Sequence, residues 1–134
     1  MNSHEVAKWT AAAIGAVLVL VGLIGFIENP IVGEPDWNPI FVAGLPHNLV
    51  HIVTGAAALF IAFGLSGLRR AYGLIAFGAA YALVLVLTFV SPDLFGLFEY
   101  EVNMADHVLH LGLAVIPIAV GYWAYNEAND RRTA

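Results

Sequence analysis

Four long blocks without a single Lys, Arg, Asp or Glu dominate this chain: Trp9–Ile27, Leu49–Leu65, Ala71–Val90 and Val108–Tyr125. Each approaches the roughly 20 residues that an α-helix needs to cross a 30 Å hydrocarbon core. Lipid offers no partners to backbone N–H and C=O groups, so a spanning segment must satisfy them itself. Continuous apolar blocks do this as helices, whereas a β-barrel would alternate polar and apolar residues. The sequence therefore predicts an all-α, four-helix transmembrane bundle, built as one domain over residues 1–134. The helices are expected at about 7–27, 46–66, 70–90 and 103–126, with outer loops at 28–45 and 91–102. Composition agrees. Charged residues make up 11% of the chain, against about 25% in soluble domains.

The first block has the length of a mature span rather than a signal h-region, and "GFIENP" at its end is no small-residue cleavage site. The absence of cysteine excludes disulfides, thiolate metal sites and thiol catalysis. A net charge of −5 with no basic patch argues against nucleic acid as a partner. The partners that remain are the lipid bilayer and, open at this point, a second copy of the chain or a membrane partner subunit.

All five basic residues fall on one side of the predicted topology: Lys8, Arg69, Arg70, Arg131 and Arg132. The positive-inside rule puts both termini and the "SGLRR" turn in the cytoplasm of a cell-membrane protein. That short turn predicts helices two and three as antiparallel neighbours. The acidic loops then face outward. Loop one contains "WNPIFVAGL", too apolar for a free linker, and is expected to lie on the interface or cap the bundle. Loop three starts "SPDLFGLF", where Ser91 as N-cap and Pro92 at N1 predict a short interfacial helix with Phe95 and Phe98 among the headgroups. Small residues (Ala11, Gly15, Gly22 and Gly25 in helix one, Ala58 and Ala62 in helix two) predict close helix packing. Pro117 predicts a kink in helix four.

Two polar clusters interrupt the apolar text. "PHNLVH" opens helix two with His47 and His51 at i and i+4, on one face. "NMADHVLH" opens helix four with Asn103, Asp106 and His110 on one stripe and His107 beside it. "HNLVHIVTG" also aligns on "DHVLHLGLA", which pairs His47 with Asp106, Asn48 with His107 and His51 with His110. The chain would then be two pseudo-repeated hairpins, related by an axis along the membrane normal.

Intramembrane ionisable residues point to function, and helical bundles supply metal ligands from facing positions in this way. His47, His51, Asp106 and His110 offer three imidazoles and a carboxylate, a set suited to zinc, iron or copper. Asn48, Asn103 and His107 would form an outer shell fixing the imidazole tautomers. Other readings stay open. Asn103 as N-cap with Asp106 at N3 would be a capping box, and the whole network would only hold helices two and four together in a structural or partner subunit. His51 and His110 would be axial ligands of a b-type haem in an electron-transfer protein. A lipophile such as a quinone would take hydrogen bonds from the histidines. An intramembrane zinc hydrolase would need a general base, for which Glu28 is the nearest candidate.

The motifs His-Asn-x-x-His (His47, Asn48, His51) and Asn-x-x-Asp-x-x-x-His (Asn103, Asp106, His110) resemble those of a prokaryotic family of small four-helix membrane proteins known only as a domain of unknown function. The resemblance runs from about Ala7 to Tyr125. It implies a fold and a membrane location, and it supplies no activity. His107 falls outside its pattern. A looser likeness, mostly of topology, connects the chain to DoxX-type membrane proteins.

Overall fold

A computed structural model describes residues 1–134. It contains four helices, α1 (Ser3–Ile24), α2 (Leu45–Gly64), α3 (Gly67–Val90) and α4 (Met104–Thr133), all long and apolar enough to cross a membrane. The only sheet is a pair of two-residue strands inside loop one, β1 (Val32–Gly33) and β2 (Phe41–Val42). Large apolar side chains point outward along the spans; Leu20, Val53, Phe60, Leu83, Val86 and Val115 are all exposed. In water such a surface would aggregate. In a bilayer it is the lipid-contact surface.

Two helices run further than the apolar blocks suggest, and each extension has a local cause. The α1 helix begins at Ser3 because Asn2 and Glu5 form a capping box: the Asn2 side chain accepts from the Glu5 N–H at 2.9 Å, and the Asn2 N–H donates to Glu5 Oε2 at 3.1 Å. The α4 helix continues to Thr133, past the expected end near 126, with Arg131 paired to Glu127 one turn back. Arg131 and Arg132 in the last turn also suit the negative end of the helix dipole.

The hairpins α1–α2 and α3–α4 are the tight units, and their contacts repeat. A Cβ added to Gly15 of α1 would meet the Gly55 carbonyl and the Leu59 backbone of α2, both at 2.8 Å. A Cβ added to Gly78 of α3 would meet the Ala114 carbonyl at 2.6 Å and the Ile118 N at 3.1 Å. Gly55 and Leu59 stand in α2 where Ala114 and Ile118 stand in α4, in the same register that aligns His51 with His110. The buried faces follow suit: His47, His51, Gly55, Ala58 and Ala62 correspond to Asp106, His110, Ala114, Pro117 and Gly121. The two hairpins are thus packed by one rule, small residues at the crossing so that backbones touch. Gly78→Val is therefore expected to destabilise the bundle by about 1–3 kcal/mol through overpacking. Gly112→Ala, with nothing near its added methyl, is expected to be neutral or mildly stabilising. Thermal unfolding in detergent compares the two.

Helices α2 and α3, joined by a short turn, do not pack in this way. They are neighbours in sequence, but a groove of about 440 Å³ separates them over much of their length, lined by bulky Phe60 and Phe77 as well as small residues. In the close pairs a helix glycine meets the partner's backbone, whereas Gly73 of α3 meets only the Ile61 and Leu65 side chains of α2. At the turn, Arg70 closes the end of α2, donating to the carbonyls of Leu65 at 2.5 Å and Ile61 at 3.4 Å, and to the His4 carbonyl of α1 at 3.4 Å. The Ile61 and Leu65 carbonyls lie at the end of α2 and would otherwise lack helical partners.

Loops one and three both fold down onto the opposite end of the bundle. In loop one, Asn29 accepts from the N–H groups of Ile31 and Val32 and donates to the carbonyls of Ile24 and Val32. This turns the chain out of α1. A 3₁₀ turn at Pro35–Trp37 then carries it back, so that β1 and β2 pair in parallel with Val32 opposite Phe41. Loop three contains no helix, contrary to the expectation from Ser91–Pro92. Leu94, Phe95 and Gly96 all adopt positive φ (50°, 59° and 83°), which a right-handed helix cannot include. Ser91 instead binds the Asp93 carboxylate at 2.8 Å and accepts from the Phe95 N–H at 3.1 Å. Phe95 stays exposed while Phe98 is turned inward and buried.

Candidate metal centre

Helices α2 and α4 lie diagonally across the bundle and meet through side chains. In the first two turns of α2, His47 and His51 share the face that looks inward; His110 looks back from α4. All three are about 99% buried. Each offers a ring nitrogen, and these nitrogens lie within 4.8 Å of one another. The ring centroids of His47 and His51 are 4.5 Å apart, and those of His47 and His110 5.9 Å. Phe98 of loop three closes the outer side, stacked on His47 at 4.2 Å with planes 10° apart. Tyr81 of α3 stands beside His110, ring centroids 5.9 Å apart. A cavity of about 60 Å³ lies between these groups.

Both nitrogens of His51 and Nδ1 of His110 are buried without a hydrogen-bond partner from the protein, and the His47 nitrogens are buried beside the Val42 backbone. A neutral imidazole carries one donor and one acceptor. Leaving such a group unpaired in the interior costs about 1–3 kcal/mol. Imidazoles turned toward one another in this way make a concentrated demand for a shared partner.

The other polar residues expected at the site do different work. Asp106 is outside the set of converging ligand atoms. Its Oδ2 accepts from the Asn103 N–H at 2.9 Å and from the Val42 N–H at 3.1 Å. Asn103 completes the capping box by accepting from the Asp106 N–H at 2.9 Å, and its amide donates to the Ile40 carbonyl at 2.9 Å. The start of α4 is thereby tied to β2, so loop one is held across the end of the bundle. Asn48 donates to the Gly25 carbonyl at 3.1 Å and ties α2 to the end of α1. His107 turns away and stacks on Phe89 of α3 at 4.2 Å. None of Asn48, Asn103 and His107 hydrogen-bonds an imidazole of the triad. The pseudo-repeat explains the division: Asn48 and His107 occupy equivalent positions facing the partner helix of each hairpin, and only His51 and His110 are equivalent positions facing the centre.

Residues that the sequence reading passed over complete the site. Tyr81 and Thr54, joined by a 2.7 Å hydrogen bond between α3 and α2, both line the histidine cavity. Their signal was available, since Thr54 follows His51 by three positions on the same face and Tyr81 is a hydroxyl deep inside an apolar span. Phe98 carried no such signal, because its inward turn depends on the φ values of loop three.

Four apolar helices, two tightly packed hairpins and a histidine cluster enclosed at one end define a small multi-pass membrane protein of the all-α class. The chain belongs to the family described as Domain of unknown function (DUF4383), whose model matches residues 8–123. No curated protein and no solved structure matches it.

Proposed function

We propose that this protein binds one transition-metal ion through His47, His51 and His110. One observation carries the reading: ring nitrogens from two diagonal helices converge within 4.8 Å in a buried cavity, and both nitrogens of His51 and Nδ1 of His110 have no protein partner. Imidazole ligands suit zinc, copper and iron, whereas magnesium and calcium prefer oxygen. The cavity of about 60 Å³ exceeds the roughly 10–15 Å³ that one water needs. That is room for an ion and a small non-protein ligand completing a three-histidine set, the pattern of open rather than closed sites. A porphyrin does not fit such a space, which disfavours the b-haem reading. Asp106 positions the site from outside, by holding loop one, while its own carboxylate serves two backbone N–H groups.

Cobalt(II) titration of purified, chelator-stripped protein tests this. Visible d–d bands that saturate at about one equivalent are the expected result for nitrogen ligation in a low-symmetry site. Absence of bands, or the same bands in the triple variant His47→Ala, His51→Ala, His110→Ala, sinks the reading.

The proposed topology puts the histidine end outside and the arginine end in the cytoplasm of the cell membrane, because every Lys and Arg lies at the latter. Single cysteines at Asp36 and Ser66 are expected to react differently with an impermeant thiol reagent in intact cells, Asp36→Cys labelled and Ser66→Cys protected. The reverse pattern overturns the orientation.

A further inference from the structure

The groove between α2 and α3 and the histidine cavity share Thr54, Ala80 and Tyr81. The Thr54–Tyr81 hydrogen bond therefore stands at their common wall. The groove itself is open to the lipid side, with Ala57, Ala76 and Ala80 exposed along it. It extends from this hydroxyl pair to Leu65 and Gly73 near the arginine end. Thr54 lies nine residues into α2 from Leu45, so the pair sits about 13 Å from that end of the helix. We propose that this groove binds a bilayer-dissolved, uncharged molecule with an elongated apolar body and a hydroxyl head, such as a long-chain alcohol, phenol or hydroquinone, its oxygen placed at Tyr81 beside the triad.

Proton accounting selects the head group. Thr54 Oγ1 lies 2.8 Å from the Val50 carbonyl, which only accepts. The single hydroxyl proton of Thr54 is therefore committed to Val50. The 2.7 Å contact with Tyr81 must then be donated by the Tyr81 O–H. Tyr81 has spent its proton and presents only lone pairs, so a partner must donate to it. A hydroxyl does so and leaves its own lone pairs for the triad or its metal. An ether or ester cannot. An ordinary phospholipid from the arginine side would bring its apolar chain end to this polar pair, with its headgroup at the surface. The apolar lining accepts no charge, which excludes fatty acid anions.

The proposal goes beyond the metal site and does not need it, so binding is measured on chelator-stripped protein in lipid nanodiscs. The probes are radiolabelled 4-dodecylphenol and its methyl ether, which differ only in the donor. The parent is expected to bind the phenol saturably and about fivefold tighter than the ether, the worth of one hydrogen bond. Tyr81→Phe should bring that ratio to about one, as should Thr54→Val, which frees the Tyr81 proton and removes the preference for donors. Ala76→Leu, a lipid-facing change that fills the groove without touching the core, should weaken both probes about tenfold or more. Equal affinity of phenol and ether in the parent overturns the head-group assignment. Equal binding by the parent and Ala76→Leu overturns the groove, and marks the probe as ordinary bilayer solute. A preference that survives in both Tyr81→Phe and Thr54→Val overturns the role of the hydroxyl pair.

Discussion

Addition of a strong chelator is expected to lower the unfolding temperature of the parent protein and of His107→Ala, and to leave His51→Ala unmoved. Metal binding to the folded state alone stabilises it by RT ln(1 + [L]/Kd), about 2.7 kcal/mol when free metal stands at 100 times Kd. His51 supplies one of the three converging imidazoles, while His107 is stacked on Phe89 and points elsewhere. Loss of an outer-shell partner costs a metal site about 10–100-fold in affinity. Loss of a direct ligand from a three-ligand set should cost more, enough to abolish the chelator response. His110→Ala should behave as His51→Ala does. Elemental analysis supplies the second readout, with about one metal ion per chain in the parent and in His107→Ala. If all variants and the parent ignore chelator and carry no metal, the triad is a packing feature, and the cluster serves only to hold the bundle together.

Asp106→Ala is expected to be the most damaging single change outside the helix crossings, at about 2–4 kcal/mol. The carboxylate accepts two backbone N–H bonds and completes the capping box of α4. Hydrogen bonds to charged groups are worth about 1.5–3 kcal/mol, and deleting the acceptor leaves buried donors unsatisfied. The expected signature has two parts. The variant melts earlier in detergent, and amide exchange at Val42 and Asn103 accelerates well before the spans open. Asp106→Asn should recover part of the loss, because an amide oxygen still accepts. Retained metal binding in Asp106→Asn would separate the positioning role of this residue from ligation. Slow exchange at Val42 in Asp106→Ala would show that β1 and β2 hold loop one without it.

The fold class was legible because its cause is local. A block of apolar residues long enough to span lipid has one way to satisfy its own backbone, and four such blocks are present in the text of the chain. The capping box at Asn103–Asp106 was legible for the same reason, since its partners are three residues apart. The equivalent box at Asn2–Glu5 follows the same spacing and extends α1 to Ser3. The pairing of His51 with His110 was accessible through the internal repeat, which sets both at one depth.

Which side chains meet was decided by the tertiary structure. His47 and Asp106 align in the repeat, yet one joins the triad and the other is drawn 64 residues back in sequence to the Val42 N–H. Only the folded loop one brings that donor to the start of α4. The inward turn of Phe98 follows from three successive positive-φ residues, which the "SPDLFGLF" text disguises as a helix start. The groove beside Thr54 and Tyr81 lies where α2 and α3 stand apart, while glycines bring α1 to α2 and α3 to α4 in backbone contact. By itself the sequence determined the four long apolar helices, for hydropathy is a property of one segment. Partner choice across the bundle depends on shape at every crossing at once, and only the assembled structure expresses it.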